Sequence, residues 1–321
     1  MISRRTAIAS LGSAALLLAM TPGSAIASRP RMPRRLRAGD TVGLVAPAGF
    51  VADRFGLEQI TETIRAMGLV PKLSPHLLDR YGYLAGEDKL RAAEVTRMFA
   101  DKDVQAIFAV RGGWGSQRLL PHLDFAAIRA NPKLLIGSSD VTALHMALQA
   151  RCGIVGIHGP NAGHSWPSSA WEAFRAIAFD GAMPVYEVPR DPADRLAPGN
   201  WRLRTYRPGV ARGRLLGGNL SVLSALVGTP WLPDFSGAIL FLEDTNEAEY
   251  RIDRMLTQLA QGGVLDKVAG VVFGQCTNCA NPGSPYGNFT IYEVLEQHLA
   301  PLGVPAFQGA SFGHIAANLS L

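Results

Sequence analysis

The sequence predicts an α/β fold built around a largely parallel sheet. Five short apolar runs end in Gly, Pro or polar clusters, which is typical of strands buried on both faces. They span residues 42–45, 106–110, 134–136, 238–242 and 270–273. Between the first two runs, Leu57, Ile60, Ile64 and Met67 recur at helical spacing, and Gly68 marks a stop. Strands that alternate with helices in this way indicate a parallel α/β arrangement.

The later elements follow the same pattern. A helix is predicted over residues 141–150, directly after the third apolar run. Another is predicted over 250–259, where Ile252, Met255 and Leu259 share one face. Between 166 and 208 the periodicity fades, so we place the connection between two domains there. The predicted domains are 33–165 and 209–321.

Composition excludes several classes of protein. The 321 residues are 48% apolar and 18% charged, which excludes a disordered chain, and the length favours two domains. Three cysteines, an odd number, do not make a disulfide framework. The net charge of +5 is concentrated in five arginines at positions 29, 31, 34, 35 and 37. A local run of this kind is not a basic face, so we expect no nucleic-acid partner.

Residues 1–27 have the anatomy of an export signal. Arg4 and Arg5 precede an apolar stretch over residues 7–20, and Ala25-Ile26-Ala27 forms a small-x-small cleavage site. Paired arginines indicate the twin-arginine route. The apolar stretch is shorter than the roughly 20 residues that a membrane-spanning helix needs. We therefore expect cleavage after Ala27, a periplasmic location and no stable membrane insertion.

Polar residues follow three of the predicted strands and should meet at one edge of the sheet, because ligands gather at the carboxyl ends of parallel strands. Residues 111–116 follow the second run, Gly137-Ser138-Ser139-Asp140 follows the third, and Glu243-Asp244 follows the fourth. Ser139 stands where a strand turns into a helix, a place that can expose a nucleophilic hydroxyl. Capping of the helix by Ser138, Ser139 or Asp140 is the alternative.

The glycine-rich loop at 112–115 has two interpretations. Its backbone amides could hold a phosphate or a developing oxyanion. The loop lacks the lysine of a P-loop, and Arg118 stands where a dinucleotide fingerprint has its third glycine. Nucleotide binding is therefore the weaker interpretation.

An acid and a base are available elsewhere in the chain. Glu243 directly follows an apolar strand and needs a partner such as an imidazole, although Asp244, Glu247 and Glu249 are rivals. His314 follows a glycine near the end of the sequence. The run 309–313 matches the G-x-S-x-G pattern, but no acid and histidine follow in order, so its serine is rejected as nucleophile.

The two neighbouring cysteines are weak evidence for a metal site. Cys276 and Cys279 resemble half of a zinc site, but the chain has no second cysteine pair. We therefore expect no metal and no cofactor.

Taken together, these motifs resemble the LD-carboxypeptidase family of serine peptidases, which includes the microcin-immunity enzymes. The matching runs, in family order, are VAPAG at 45–49, GYLAG at 82–86, RGGWG at 111–115, GSSD at 137–140, HGP at 158–160, GGNL at 217–220, LED at 242–244 and GH at 313–314. The match extends from about Pro33 to the last residue. Jointly the motifs are highly specific, although no single one is.

The resemblance implies a set of roles. The nucleophile would be Ser139, the acid Glu243 and the base His314, with the backbone N–H groups of Gly113 and Asp140 as oxyanion donors. It further implies a three-layer, Rossmann-like amino-terminal domain, a smaller mixed α/β carboxyl-terminal domain and a homodimer. Family members also continue into a further strand beyond the position of Asn318, whereas this sequence stops at Leu321.

The function implied is removal of the terminal D-Ala from murein tetrapeptides through an acyl-enzyme. Arg111 or Arg118 would clamp the free carboxylate, and Trp114 and His158 are the other predicted substrate-binding residues. One alternative is a microcin-type amidase acting on aminoacyl-nucleotide analogues, against which the predicted export argues. Another is an exported peptide-binding protein without turnover.

Overall fold

The computed structural model describes residues 30–187, 203–280 and 287–321. The predicted signal segment 1–27 lies outside the described residues. No helix in the described ranges combines the length and the apolar character needed to cross a bilayer.

Ten strands in the described ranges form two five-stranded sheets, the first with the order β2-β1-β3-β4-β5 and the second with the order β6-β10-β9-β8-β7. The strands are β1 Thr41–Val45, β2 Val70–Leu73, β3 Val104–Ala109, β4 Leu134–Gly137, β5 Ile157–His158, β6 Arg204–Arg207, β7 Leu215–Asn219, β8 Ile239–Thr245, β9 Gly270–Thr277 and β10 Ala306–Gln308. The first sheet is entirely parallel. The second is parallel except for β6, which pairs antiparallel with β10.

Nine α-helices connect these strands in the described part of the chain. They are α1 Arg54–Ala66, α2 Asp88–Ala100, α3 Ser116–Leu119, α4 Phe125–Ala130, α5 Thr142–Cys152, α6 Ser168–Arg175, α7 Leu220–Ala225, α8 Glu249–Gln261 and α9 Ile291–Leu299. Local signals explain several of their ends. Asp53 caps α1 by accepting from Gly56 N, and Gly68, at φ +79°, lies just beyond its end. Thr290 and Glu293 form a capping box at α9.

Helices cover both faces of the first sheet, so this part of the molecule has three layers. Alternate side chains of the central strands point to opposite faces: Phe108 packs in one cluster with Ile64 of α1 and Phe174 of α6, whereas Ile107 packs with α2, α4 and α5. The predicted three-layer fold with a second, mixed α/β part is confirmed.

One apolar cluster joins the two sheets. The cluster that contains Ile107 and Leu144 of α5 also contains Leu220 of α7, Leu240 of β8 and Leu295 of α9. The helices of the second sheet therefore pack on the same core as those of the first. This shared core holds the carboxyl ends of β4 and β8 close together.

The predicted connection over 166–208 is structured at both ends. Helix α6 packs on the first sheet, and β6 is an edge strand of the second. The ends of this segment thus belong to the two parts that the segment connects, while residues 188–202 lie outside the described ranges.

Candidate active site

Ser139 is the first residue of the short 3-10 segment Ser139–Val141, in the sharp turn between β4 and α5. Its φ is +62°, a left-handed conformation that only a few non-glycine residues adopt. The serine in a strand-to-helix turn of this kind presents its hydroxyl beyond the end of the sheet. No side-chain capping bond is made at the start of the 3-10 segment or at the start of α5. The structure therefore gives no support to the capping interpretation.

Three side chains that are distant in the sequence form one hydrogen-bonded chain. The hydroxyl of Ser139 donates to His314 Nε2 over 3.1 Å. His314 Nδ1 lies 2.7 Å from Glu243 Oε2, and the tautomer in which Nδ1 donates satisfies both contacts. Glu243 is fully buried, whereas the side chain of His314 is 24% exposed. The acid is thus shielded from solvent while the base faces the edge of the sheet.

The carboxylate of Glu243 controls the charge of the imidazole. Burial lowers the pKa of His314, but the hydrogen bond and negative charge of Glu243, together with the charge of Asp244, outweigh burial and raise it. An imidazole with a raised pKa is a stronger proton acceptor. This is the property that a general base needs.

Asp244, the nearest rival of Glu243, is engaged elsewhere. Its carboxylate accepts from Asn219 Nδ2, from Thr245 N, and from both the backbone and the hydroxyl of Ser221. Burial raises the pKa of Asp244 to about 6 despite these donors. Glu243 and Asp244, which the sequence places after the strand, both lie within β8.

The glycine loop passes directly over the nucleophile. A Cβ atom on Gly112 would lie 2.8 Å from the Cβ of Ser139, so only glycine fits there. Gly113, at φ +119°, lies beside Gly49, and a Cβ atom added to Gly113 would be 3.2 Å from the backbone nitrogen of Gly49. The carboxylate of Asp140 accepts from Ser116 N over 2.7 Å and thereby ties this loop to the turn that carries Ser139. The predicted oxyanion donors, Gly113 and Asp140, are thus on the two segments that flank the hydroxyl.

Arg91 belongs to the site region, but no sequence motif distinguishes it. It is 2% exposed on α2, and its guanidinium donates to the carbonyls of Pro47, Gly86 and Gly115 and to the carboxylate of Asp88. These carbonyls come from three separate loops at the edge of the sheet. A buried cation that meets so many acceptors fixes the loops relative to one another.

The predicted substrate-binding residues fall into different environments. Trp114 is 69% exposed. Together with Tyr83, Arg118 and Trp231 it lines a cleft of about 800 Å³ between the two sheets' loops. Arg118 is held by Asp88, with its Nε at 2.9 Å and its Nη2 at 2.8 Å. Arg111 is exposed and donates from Nη1 to Phe50 O over 3.2 Å.

His158 is buried, whereas a residue that binds substrate must be accessible to it. Its side chain is 4% exposed, and its ring packs edge-on against Phe241, which is on the same strand as Glu243. Burial lowers the pKa of His158 to about 4, so the ring is neutral near pH 7. The expectation that His158 contacts substrate is therefore corrected: it is a core residue behind the acid.

Cys276 and Cys279 are joined by a disulfide, so they do not form half of a zinc site. Within the described ranges, no group of three or more His, Cys, Asp or Glu side chains is arranged to hold a metal ion. The disulfide closes the end of β9, and Thr277 inside it donates from Oγ1 to His314 O over 3.0 Å. The cysteine pair thus supports the loop of the base.

Comparison with known proteins identifies the family. A family model described as the LD-carboxypeptidase N-terminal domain matches residues 42–159, and one described as the C-terminal domain matches residues 212–321. The chain belongs to the LD-carboxypeptidase family. It is accordingly a serine-type carboxypeptidase, a hydrolase, as the motifs imply.

Relatives of this LD-carboxypeptidase carry two kinds of name. A probable murein peptide carboxypeptidase of Bacillus subtilis is 36% identical, and the alignment covers 90% of this chain and 88% of that one. The microcin C7 self-immunity protein of Escherichia coli is 31% identical, with 92% of each chain covered. A solved muramoyltetrapeptide carboxypeptidase from Oxalobacter formigenes superposes with a TM-score of 0.70 at 28% identity, covering 88% of this chain and 91% of that one.

Proposed function

We propose that this LD-carboxypeptidase hydrolyses the amide bond between the L-centre of the third residue of a murein tetrapeptide and its terminal D-Ala. The observation that carries the proposal is the hydrogen-bonded chain from Ser139 through His314 to Glu243. The names of the murein peptide carboxypeptidases among its relatives support the substrate class.

The proposed reaction has two halves. His314 accepts the hydroxyl proton of Ser139 as the oxygen attacks the amide carbonyl, and then gives that proton to the departing amine of D-Ala. Water attacks the resulting acyl-enzyme with His314 again as base, which releases the tripeptide and restores the serine. Glu243 orients the imidazole and stabilises its charged form. No metal ion takes part, so we expect turnover to survive a chelator.

Charge that develops on the carbonyl oxygen needs donors that are already in place. The backbone N–H groups of Gly113 and Asp140 are the proposed donors, because their segments flank the Ser139 hydroxyl. Arg91 and the carboxylate of Asp140 support this role by holding the glycine loop in position. Preorganised donors of this kind contribute about 3 kcal/mol each to transition-state stabilisation.

Release of D-Ala from a tetrapeptide tests the proposal. Ser139→Ala and His314→Ala should each reduce kcat on the order of 10⁴-fold, and the double variant should be little worse, because the two side chains act as one unit. Ser311→Ala, in the rejected G-x-S-x-G run, is the matched control and should retain turnover. Substantial turnover by Ser139→Ala would end the serine mechanism, and a wild-type protein that binds tetrapeptide without releasing D-Ala would support the peptide-binding alternative.

A second candidate reaction uses the same side chains. Similarity to the microcin C7 self-immunity protein favours an amidase that releases an amino acid from an aminoacyl-nucleotide analogue. Comparing kcat/KM for a tetrapeptide and for an aminoacyl sulfamoyl adenosine separates the two. We propose the peptide as the better substrate, in keeping with the murein peptide carboxypeptidases among the relatives.

We also propose that the protein is exported through the twin-arginine route and works in the periplasm as a homodimer. Arg4, Arg5 and the Ala25-Ile26-Ala27 site support export. Mass spectrometry of the protein from its native host should find a chain that begins at Ser28, and Met1 as the only amino terminus would contradict it. Light scattering of the purified protein should give the mass of a dimer, and the mass of a monomer would contradict the proposed homodimer.

A further inference from the structure

A carboxypeptidase must recognise the free carboxylate at the end of its substrate, and the two candidate arginines differ in how they are engaged. Arg118 already holds the carboxylate of Asp88 through two nitrogens. Arg111 makes a single hydrogen bond, to Phe50 O, and pairs with no carboxylate among the described residues. A guanidinium binds carboxylates best when two of its N–H groups are available in parallel. Of these two arginines, Arg111 is the one that meets this condition.

Arg111 faces a pocket of about 480 Å³ at the carboxyl end of β3, which we call the Arg111 pocket. Its wall contains Gln59, Thr63, His164 and Ser165 and no acidic residue. Backbone bonds build this wall, because Ala162 N donates to Ala109 O and Gly163 N donates to Val110 O, each over 2.9 Å. The segment after β5 thus runs alongside the end of β3 and brings His164 to Arg111.

One residue of the pocket wall leads into the loop over the nucleophile, although Ser139 itself is not part of that wall. Arg111 directly precedes Gly112, where an added Cβ atom would lie 2.8 Å from the Cβ of Ser139. Partial burial and the nearby positive charges of His314 and Arg111 lower the pKa of His164. A neutral imidazole still has one N–H to donate, so His164 adds a hydrogen-bond donor without repelling the arginine. The pocket is large enough to admit a small terminal residue.

We infer that the Arg111 pocket binds the terminal carboxylate of the substrate, with the Arg111 guanidinium as ion partner and His164 as a second donor. This inference rests on the proposed function. It excludes Arg118 as the carboxylate clamp and places the departing D-Ala over the loop that begins at Arg111. The pocket would then select peptides by their free end.

A pair of substrates that differ only at that end tests the inference. The wild-type protein should cleave a tetrapeptide with a free carboxylate on the order of 100-fold faster, in kcat/KM, than the same peptide as its terminal amide. Arg111→Met should remove most of that preference by slowing cleavage of the acid while leaving the amide within about threefold. Arg111→Lys should keep part of the preference, since it retains the charge but not the paired N–H groups. His164→Gln should have a smaller effect than Arg111→Met.

Two control variants make the result specific. Arg97→Met changes an exposed arginine of α2 and should leave kcat/KM unchanged for both the acid and the amide. Arg118→Met should keep the preference for the acid. Loss of the preference in Arg118→Met but not in Arg111→Met, or equal cleavage of acid and amide by the wild type, would overturn the inference. Thermal melts of each variant separate a folding defect from a loss of recognition.

Failure of the proposed function is distinguishable from failure of the pocket. Calorimetry with the Ser139→Ala variant measures binding of the acid and the amide without any turnover. If the wild type cleaves neither peptide but Ser139→Ala binds the acid more tightly, the pocket stands and the proposed reaction does not. Equal binding of both peptides to Ser139→Ala contradicts the pocket, whatever the turnover shows.

Discussion

At the scale of single residues, the raised pKa of His314 leads to a prediction about pH. The imidazole must be neutral to accept the proton of Ser139, so kcat/KM should rise with pH through the pKa of His314, which lies above the usual value of about 6.5. Glu243→Gln removes the charge that holds this pKa up. The acid limb of the profile should therefore move to lower pH as maximal kcat falls. Glu296→Gln, an exposed carboxylate paired with Arg204, should leave the limb in place.

An unmoved acid limb in Glu243→Gln would show that Glu243 does not set the charge of the base. A fall in kcat/KM with rising pH over the same range would assign the opposite protonation state to His314.

The sequence identified the residues of the hydrogen-bonded chain but not their supports. Ser139 and Glu243 could be chosen because each follows a buried apolar run, and His314 because it follows a glycine near the end of the sequence. Only the resemblance assigned their roles as nucleophile, acid and base. Arg91 could not be found, because nothing in a helical pattern distinguishes an arginine that turns inward from one on the surface. His158 was misplaced for a related reason: a histidine in a matching motif gives no sign of its burial. Only the packing of the folded protein shows whether such a side chain is buried or exposed.

At the scale of elements, helix α2 holds the loops around the site through Arg91. Arg91→Lys keeps the charge, but a single ammonium cannot reach carbonyls on three loops at once. The glycine loop should shift relative to Ser139. We therefore expect kcat to fall roughly 10- to 100-fold, with a smaller change in KM. The free energy of unfolding should fall by roughly 1–3 kcal/mol, because buried carbonyls lose their donor. Arg97→Lys on the same helix is the control, and an unchanged kcat in Arg91→Lys would contradict a positioning role.

The disulfide at the end of β9 leads to a second prediction at this scale. Changing both Cys276 and Cys279 to serine should lower the free energy of unfolding by about 2 kcal/mol, as expected for a very short closed loop. The kcat should fall as well, because Thr277 inside that loop donates to the backbone of His314. A reductant should have the same effect on the wild type and on Cys152→Ala, which lacks the buried free thiol. Full activity in the double variant would show that the loop of His314 is held by other contacts.

The elements that sequence patterns predict are the long and apolar ones. Strands occur at all five predicted apolar runs, and helices α1, α5 and α8 lie close to their predicted bounds. Strands β5 and β10 contain only two and three residues, and β6 reads Arg-Thr-Tyr-Arg, so neither length nor alternation reveals them. Their pairing is decided by the sheets they join, which is information that a local window does not contain.

At the scale of the whole molecule, the shared apolar core predicts a single unfolding transition. Leu144 of α5 and Leu220 of α7 belong to one cluster, so separating the two sheets exposes the same core that unfolding exposes. Loss of activity and loss of helical circular dichroism should therefore have coincident midpoints in urea. Activity lost at clearly lower urea would show instead that the two parts separate before either unfolds.

The division of the site between the two sheets has a consequence for the protein during its synthesis. Ser139 belongs to the first sheet, whereas Glu243 and His314 belong to the second. A ribosome adds His314 175 residues after Ser139. Until then the growing chain has a serine without a base. A hydrolase assembled in this order cannot use this mechanism before the segment that carries His314 has been made.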